Sequence, residues 1–349
     1  MTGTTVSDRY SSGEVAERRL RQVTGAAGRL GMEHLGLLGV LAVVFVLLSL
    51  TAPNFLSAGN LLDVARQISF TGLIAFGMTL VIIAGEIDIS VGSAIAFGSA
   101  LFGMLAVDQE WPLWLAAIAV CALGALIGVG AGLLRALLNV PSFIVTLALF
   151  SALSGLALLM TDSIPIPITD AGFAALGTGS VLGVPIPALI MAVVFVAFWL
   201  LANRTTFGRS VYAVGGNAEA AHLSGIPVAR VRAVLFGTTG LLAAVSSLLQ
   251  TSQLGSGNPT IGIGVEFAVI TAVIVGGASL YGGRGSMVGT LLGVVLIGIL
   301  NNGMVLLGVN SYAQNVANGA IVLLAVLVSV ARPSTRRTRR RVIARALES

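Results

Sequence analysis

The residues able to perform chemistry in this 349-residue chain are few. Glu86 and Asp88 stand two positions apart, as a hydrolytic carboxylate pair can. They lie at the end of an apolar run, and they read better as helix-entry residues. In that role Asp88 or Ser90 accepts from the free N–H groups of a helix starting near Val91. His34 and His222 are the only histidines, and neither has the Ser, Cys or carboxylate partners of a triad or a metal site. Cys121 is the single cysteine, which excludes an internal disulfide and argues against a thiolate metal centre. Lysine is absent altogether, so the lysine-bearing phosphate loop of nucleotide hydrolases cannot be built. The glycine runs Gly276-Gly277 and Gly282-Gly283-x-Gly285 join apolar segments rather than a strand to a helix, and read as a tight turn. The expectation is no catalytic residue, no metal and no directly bound cofactor.

The other polar residues within apolar surroundings are neutral. Gln250, Thr251, Ser252 and Gln253 end one run, Asn301 and Asn302 sit in another, and Gln314, Asn315 and Asn318 open the last. Thr79 and Thr146 are weaker candidates of the same kind. A buried charge costs about 2.5–3.5 kcal/mol on insertion scales, so neutral donors and acceptors are the economical lining for a polar, uncharged solute. Each can equally bond one helix to another. From this set Gln250, Gln253, Asn301, Asn302, Asn315 and Asn318 are the candidate pathway lining.

The elements that must position these groups are set by composition. Hydrophobic residues make up 56% of the chain and charged residues 9%, against about 25% charged in a soluble domain. Mean hydropathy is +1.00. Many of the 44 glycines fall inside apolar runs, where small residues let membrane helices approach closely. Breaking the runs at charges, prolines and glycine-rich turns gives ten segments near the length that spans about 30 Å of hydrocarbon. They are 35–50, 68–84, 91–107, 113–134, 143–160, 186–202, 233–251, 267–280, 288–307 and 312–330. The fold class expected is all-α and polytopic, with about ten transmembrane helices. Residues 1–34 and 332–349 are expected to be cytoplasmic tails around a membrane domain at 35–331. Residues 161–185, with Pro165, Pro167 and Pro185, read as an extended, non-helical outer connection.

A pI near 10.3 would suggest a nucleic-acid partner, but the distribution of the arginines excludes it. They gather in both tails and in the segments holding Arg135, Arg204, Arg209, Arg230, Arg232 and Arg284. With ten crossings and a cytoplasmic N-terminus these all fall on the cytoplasmic side, and only Arg66 lies near the outer face. Asp63, Asp108, Glu110, Asp162, Asp170 and Glu266 then lie outside, with Trp111 and Trp114 at the outer boundary. Two crossings are unusual: 267–280 is short, and the run beginning at Val91 starts abruptly after Asp88. Interrupted helices are tolerated beside protein or a water-filled cavity, so both point towards a pathway. The stretches 85–93 and 282–290 are loosely alike and hint at an internal duplication.

The run Gly85-Glu86-Ile87-Asp88-Ile89-Ser90-Val91-Gly92-Ser93 resembles the signature of permeases from ribose-type ABC importers, with Ile89 where the signature has Leu. Asn139-Val140-Pro141-Ser142-Phe143 resembles that family's second block. Phe207-Gly208-Arg209, Tyr212-Ala213-Val214-Gly215-Gly216-Asn217 and Ala220-Ala221-His222-Leu223-Ser224-Gly225 resemble its central loop. Gly276-Gly277-Ala278-Ser279-Leu280, Val288-Gly289-Thr290 and Leu300-Asn301-Asn302-Gly303 resemble its C-terminal blocks. The resemblance implies a type II-like importer permease in the bacterial inner membrane, with no ATPase of its own. It implies a second permease copy, a cytoplasmic ATPase that binds ATP and Mg, and an extracytoplasmic sugar-binding protein. Signature residues carried over are Gly85, Asp88, Ser90, Gly92, Ser93, Asn139 and Pro141.

The longest inner loop, 203–232, fits this division of labour. Within it Asn217 can cap a short helix, Glu219 suits its positive end, and Gly225 followed by Pro227 ends it. The resemblance makes this the coupling helix, with Gly215, Gly216, Asn217, Glu219, Ala220, Ser224 and Gly225 as the ATPase-contacting set. Alternatives within the same role are a nucleoside, a polyol or a furanose-like signalling molecule as cargo. An ion-coupled secondary transporter would require mid-membrane ionisable groups that the spans lack, Asp88 excepted.

Overall fold

The computed structural model describes residues 35–331; the two tails assigned above lie outside them. Each of the ten apolar runs is a helix. They are α1 (Leu35–Thr51), α2 (Ala58–Ile83), α3 (Val91–Gly103), α4 (Leu113–Leu137), α5 (Ser142–Met160), α7 (Ile186–Arg204), α10 (Val228–Leu254), α11 (Val265–Val275), α12 (Met287–Leu306) and α13 (Ser311–Ala331). A π-helical turn, Met104–Asp108, extends α3. Among the described residues, seven helices are long and apolar enough to cross a bilayer: α2, α3 with its extension, α4, α5, α7, α10 and α12.

Three short helices join them: α6 (Ala171–Thr178), α8 (Thr206–Gly216) and α9 (Ala218–Leu223). Helix α6 corrects the expectation of a non-helical outer connection. The prolines of that stretch lie outside the helix, Asp170 caps it by accepting from the Phe173 N–H, and Phe173 stacks on Phe102 at 4.6 Å. Burial against α3 and α10, together with the cap, overrides a turn-rich composition. Helix α8 was not foreseen either, because Gly208, Gly215 and Gly216 weaken its local helical signal.

Helices α2, α3 and α10 form the buried centre, while α4, α5 and α7 leave most of their surface exposed. The most extensive contact is between α4 and α10. Gly124, Gly128 and Gly132 make one face of α4, and a methyl on Gly128 would overlap the Phe236 carbonyl. The backbones therefore meet directly, through the small-residue packing that holds helices together where lipid supplies no hydrophobic drive.

Helix α11 has only 11 residues, about half a crossing. The other half is not helical. After α10, strand Ser256–Gly257 pairs with Ile166–Pro167, and the chain then runs down the side of α3. Gly257 packs on Gly103, Asn258 N–H donates to Ser99 Oγ at 2.8 Å, and Gly262 packs on Ile95 and Gly92. That descent covers about 16 Å of α3 and α11 adds about 16 Å, which together match a hydrocarbon core of about 30 Å.

The internal likeness has a structural counterpart in a shifted register. Helix α2 ends with Gly85 N–H on Ile82 O and Glu86 N–H on Val81 O; α11 ends with Gly277 N–H on Ile274 O and Ala278 N–H on Val273 O. Both are the same left-handed glycine cap, so Gly85 corresponds to Gly277 and not to Gly282.

Candidate functional site

The signature loop between α2 and α3 is anchored at every polar residue. Glu86 is 4% exposed and lies between two arginines. Arg135 Nε, from the end of α4, donates to both its oxygens at 3.1 and 3.0 Å. Arg232 Nε, from the start of α10, lies 2.6 Å from Oε1, an ion contact that is not aligned as a hydrogen bond. Glu86 thus ties three elements together, and the sequence reading missed it because Arg135 and Arg232 are remote in the chain. Asp88 also departs from expectation. Its Oδ1 accepts from the Ser90 N–H and hydroxyl at 3.0 and 2.6 Å, and Oδ2 accepts from Thr239 Oγ1 at 3.0 Å on α10. Ser90 occupies the cap of α3 without a side-chain capping bond, so neither residue caps the first helical N–H groups. Thr239 stands seven positions beyond Arg232, so Asp88 lies about 10 Å deeper along α10 than the Glu86 cluster.

The second block meets the first. Asn139 has φ 52°, Pro141 starts α5, and Ser142 Oγ accepts from the Ile87 N–H at 3.2 Å. Beside Asp88 and Ser90 the helices leave a cavity of about 20 Å³, with Phe97, Val120, Leu153 and Ala244 in its wall. That is room for about one water, so it is not the passage. Gly92 sits under the α10–α11 connection: a methyl there would overlap Glu266 Oε2 and crowd Gly262 O. Glu266, expected in an outer loop, is 1% exposed in the first turn of α11, with Oε1 accepting from the Gly264 N–H at 3.2 Å.

The central loop folds as two helices docked on these turns. Helix α9 has the caps read from sequence. Asn217 Oδ1 accepts from the Glu219 and Ala220 N–H groups at 3.1 Å, and Gly225 N–H closes on His222 O at φ 82°. Ser224 Oγ donates to Ala220 O at 2.8 Å. Glu219, Ala220, Ser224 and Gly225 are exposed. Helix α8 fixes the pair to the membrane domain. Gly215 packs so tightly on Ile83 O and Gly283 N that no Cβ fits, whereas Gly216 faces open space. Tyr212 donates to Gly285 O at 2.9 Å, and burial raises its phenol above the ordinary range, so it keeps the donated proton. Gly283 N–H bonds Ile83 O at 2.7 Å and Gly282 packs on Gly85. One node thus joins the α8–α9 pair to both the α2–α3 and the α11–α12 turns.

The neutral polar candidates separate by their partners. Asn302 exchanges two amide hydrogen bonds with Asn60 of α2, at 2.8 and 3.1 Å. Thr79 shares a 2.7 Å hydrogen bond with Thr290, Thr146 donates to Ile87 O of the signature loop at 3.4 Å, and Thr251 donates to Ser99 Oγ at 2.6 Å. Ser252 donates to Phe173 O and accepts from the Gly177 N–H. These residues link elements. Gln250 bonds Ser246 one turn below, Gln253 and Asn318 are half-buried, Asn315 is exposed, and Asn301 Oδ1 is buried without a partner. We expect a double-mutant cycle of Asn60→Ala and Asn302→Ala, read by thermal unfolding, to give a coupling of about 0.6–1.7 kcal/mol, as for interhelical bonds in membranes. A coupling of zero would contradict the paired amides.

Residues 60–331 match the family model described as the permease component of branched-chain amino acid transport systems. Among curated relatives, the chain is 50% identical over 299 residues to the probable ABC transporter permease protein YphD of Escherichia coli strain K12, covering 86% of this chain and 90% of that one. It is 45% identical over 299 residues to the ribose import permease protein RbsC of Bacillus subtilis strain 168, covering 85% and 92%. It is 35% identical over 306 residues to the L-arabinose transport system permease protein AraH of Escherichia coli strain K12, covering 88% and 93%. No solved structure matches the chain. With a family match spanning most of its length and a full set of apolar helices, the chain belongs to this ABC permease family and is a membrane-spanning transport subunit.

Proposed function

We propose that this chain is the permease of an ATP-driven monosaccharide importer, and that it works by alternating access. The observation that carries the reading is the node at Gly215, which connects exposed cytoplasmic-type helices to the signature turn. In this reading α8 and α9 receive a cytoplasmic ATPase, two permease copies enclose the passage, and an extracytoplasmic binding protein delivers the sugar. Both tails face the cytoplasm, in keeping with the arginine distribution. ATP and Mg are held by the ATPase subunit, because this chain has no lysine for a phosphate loop. A pull on α9 passes through Gly215 to Ile83 and Gly283, moving the entry of α3 and the α11–α12 turn together. The relatives named for ribose and arabinose support a pentose or similar sugar as cargo.

The test is reconstitution with its ATPase and binding protein in liposomes, using ribose and arabinose as probes. Accumulation should require ATP and both partners. Accumulation by this chain alone against a gradient would defeat the proposal. Leucine uptake in place of sugar uptake would select the amino-acid reading suggested by the family description, and nucleoside or polyol uptake would shift the cargo only.

Glu219 should be needed for coupling and not for folding. It is exposed in the first turn of α9, with its backbone N–H capped by Asn217. We expect Glu219→Arg to cut ATP-dependent uptake at least tenfold while stability changes by no more than about 0.5 kcal/mol, as for surface substitutions. Uptake and melting temperature measured on the same preparation check this.

A further inference from the structure

The connection from α10 to α11 poses a problem that lipid cannot solve. It descends beside α3 to the level of Gly92, and its backbone from Asn258 to Gly264 is neither helix nor strand. Its inner side is well seated, through Asn258 N–H on Ser99 Oγ and Gly262 against Gly92 and Ile95. Its other side is open: Thr260 is exposed, Ile263 is 70% exposed, and Phe267, in the first turn of α11, is 53% exposed. Irregular backbone at membrane depth is tolerated only where protein covers it or water reaches it, since hydrocarbon cannot satisfy its N–H and C=O groups.

We propose that Thr260, Ile263 and Phe267 line the translocation pathway at mid-depth, facing water and the hydroxyls and ring face of the passing sugar. This rests on the transport role proposed above and names where in the chain the passage lies. The polar content of the segment favours a wet neighbour over a second protein copy. Thr260 and Asn258 share a 2.8 Å hydrogen bond at the exposed turn, leaving hydroxyl lone pairs and the Asn258 amide N–H groups for a solute. The Phe267 ring offers an apolar face of the kind on which a pyranose or furanose ring can rest. Neither contact carries a charge, so the solute is held weakly enough to leave.

The seat of this segment also explains part of the signature. Gly92 has no side chain because Gly262 O and the Glu266 carboxylate occupy the space where one would be. Movement of α3 at Gly92 therefore shifts the pathway wall at Gly262. Seven residues upstream, Gly85 meets the node that holds α8.

The experiment uses the full complex with Cys121 replaced by Ala, and single variants Thr260→Cys, Ile263→Cys and Phe267→Cys. Leu126→Cys, 65% exposed on α4, serves as the lipid-facing control. Each is exposed to a permanently charged, membrane-impermeant methanethiosulfonate and, separately, to a lipid-soluble maleimide. The expected result is modification of positions 260, 263 and 267 by the charged reagent at least tenfold faster than of position 126, with ribose uptake falling at least fivefold on modification. Reaction with the lipid-soluble reagent alone would overturn the inference. So would disulfide cross-linking between the two copies' cysteines at 263 without charged-reagent labelling, which would make the segment an intersubunit contact. Labelling is read whether or not sugar is transported. A parent complex that accumulates no sugar, while its cysteine variants label at these positions, refutes the transport reading alone; a parent that transports, while those variants do not label, refutes this inference alone.

Discussion

Glu86→Ala is expected to cost about 3–5 kcal/mol of stability, the range for removing one partner from a buried ionic cluster. Glu86 is 4% exposed, and Arg135 and Arg232 beside it are 20% and 13% exposed. Without the carboxylate, two guanidinium groups from α4 and α10 face each other with little water to screen them, and the α2–α3 loop loses its tie to both helices. The loss should appear as a large drop in folded yield and in the melting temperature of detergent-purified protein. Replacing all three residues by Met and Leu should recover most of that stability, because an apolar cluster of similar volume avoids the desolvation cost of three charges. If Glu86→Ala melts like the parent, the cluster is not holding these elements.

Gly215→Ala should be the most damaging single methyl in the segment that holds α8 and α9. Its Cβ would overlap Ile83 O and crowd Gly283 N, both backbone atoms that cannot move without displacing the ends of α2 and the α11–α12 turn. Overpacking costs typically about 1–3 kcal/mol, and overlap with backbone belongs at the upper end of that range. Gly216→Ala is the control: it faces open space at negative φ, and the extra methyl should be neutral or slightly stabilising in a helix. Melting temperature and ATP-dependent uptake should both fall for position 215 and remain near parental values for position 216. Equal effects at the two positions would remove the node from the account.

The two variants separate folding from coupling. Glu86 lies where α4, α10 and the signature loop meet, and its loss should lower stability first. Gly215 lies where α8 meets the loop, so a partly folded variant should hydrolyse ATP through its partner while importing little sugar. Together with Glu219→Arg, which leaves packing untouched, they bracket the proposed route from the ATPase to α3.

Which parts were legible in the sequence follows from how local their causes are. Ten helices and the lack of a lysine-bearing phosphate loop were readable because apolar run length and the missing lysine are properties of contiguous residues or of plain composition, whereas α2 begins at Ala58, ahead of the expected 68, because its first turns carry Asp63 and Arg66. The caps of α9 at Asn217 and Gly225 were readable because both act within a turn of their own position. The Glu86 cluster, the Asp88–Thr239 bond, the Asn60–Asn302 amide pair and the seating of Gly215 on Ile83 were not, since each joins residues dozens to hundreds of positions apart. Helix α6 was decided by burial of Phe173 against Phe102, which outweighed the local turn composition. The short run at 267–280 was correctly marked as unusual, but only packing against α3 shows that the missing half-crossing is the irregular chain before α11. The sequence by itself determined that this protein is built for lipid and has no lysine for a phosphate loop, because hydropathy and composition need no geometry. The tertiary structure decided which polar groups are tied to one another and which face outward, because a hydrogen-bonding side chain is free or engaged only once its distant partner has been brought to it.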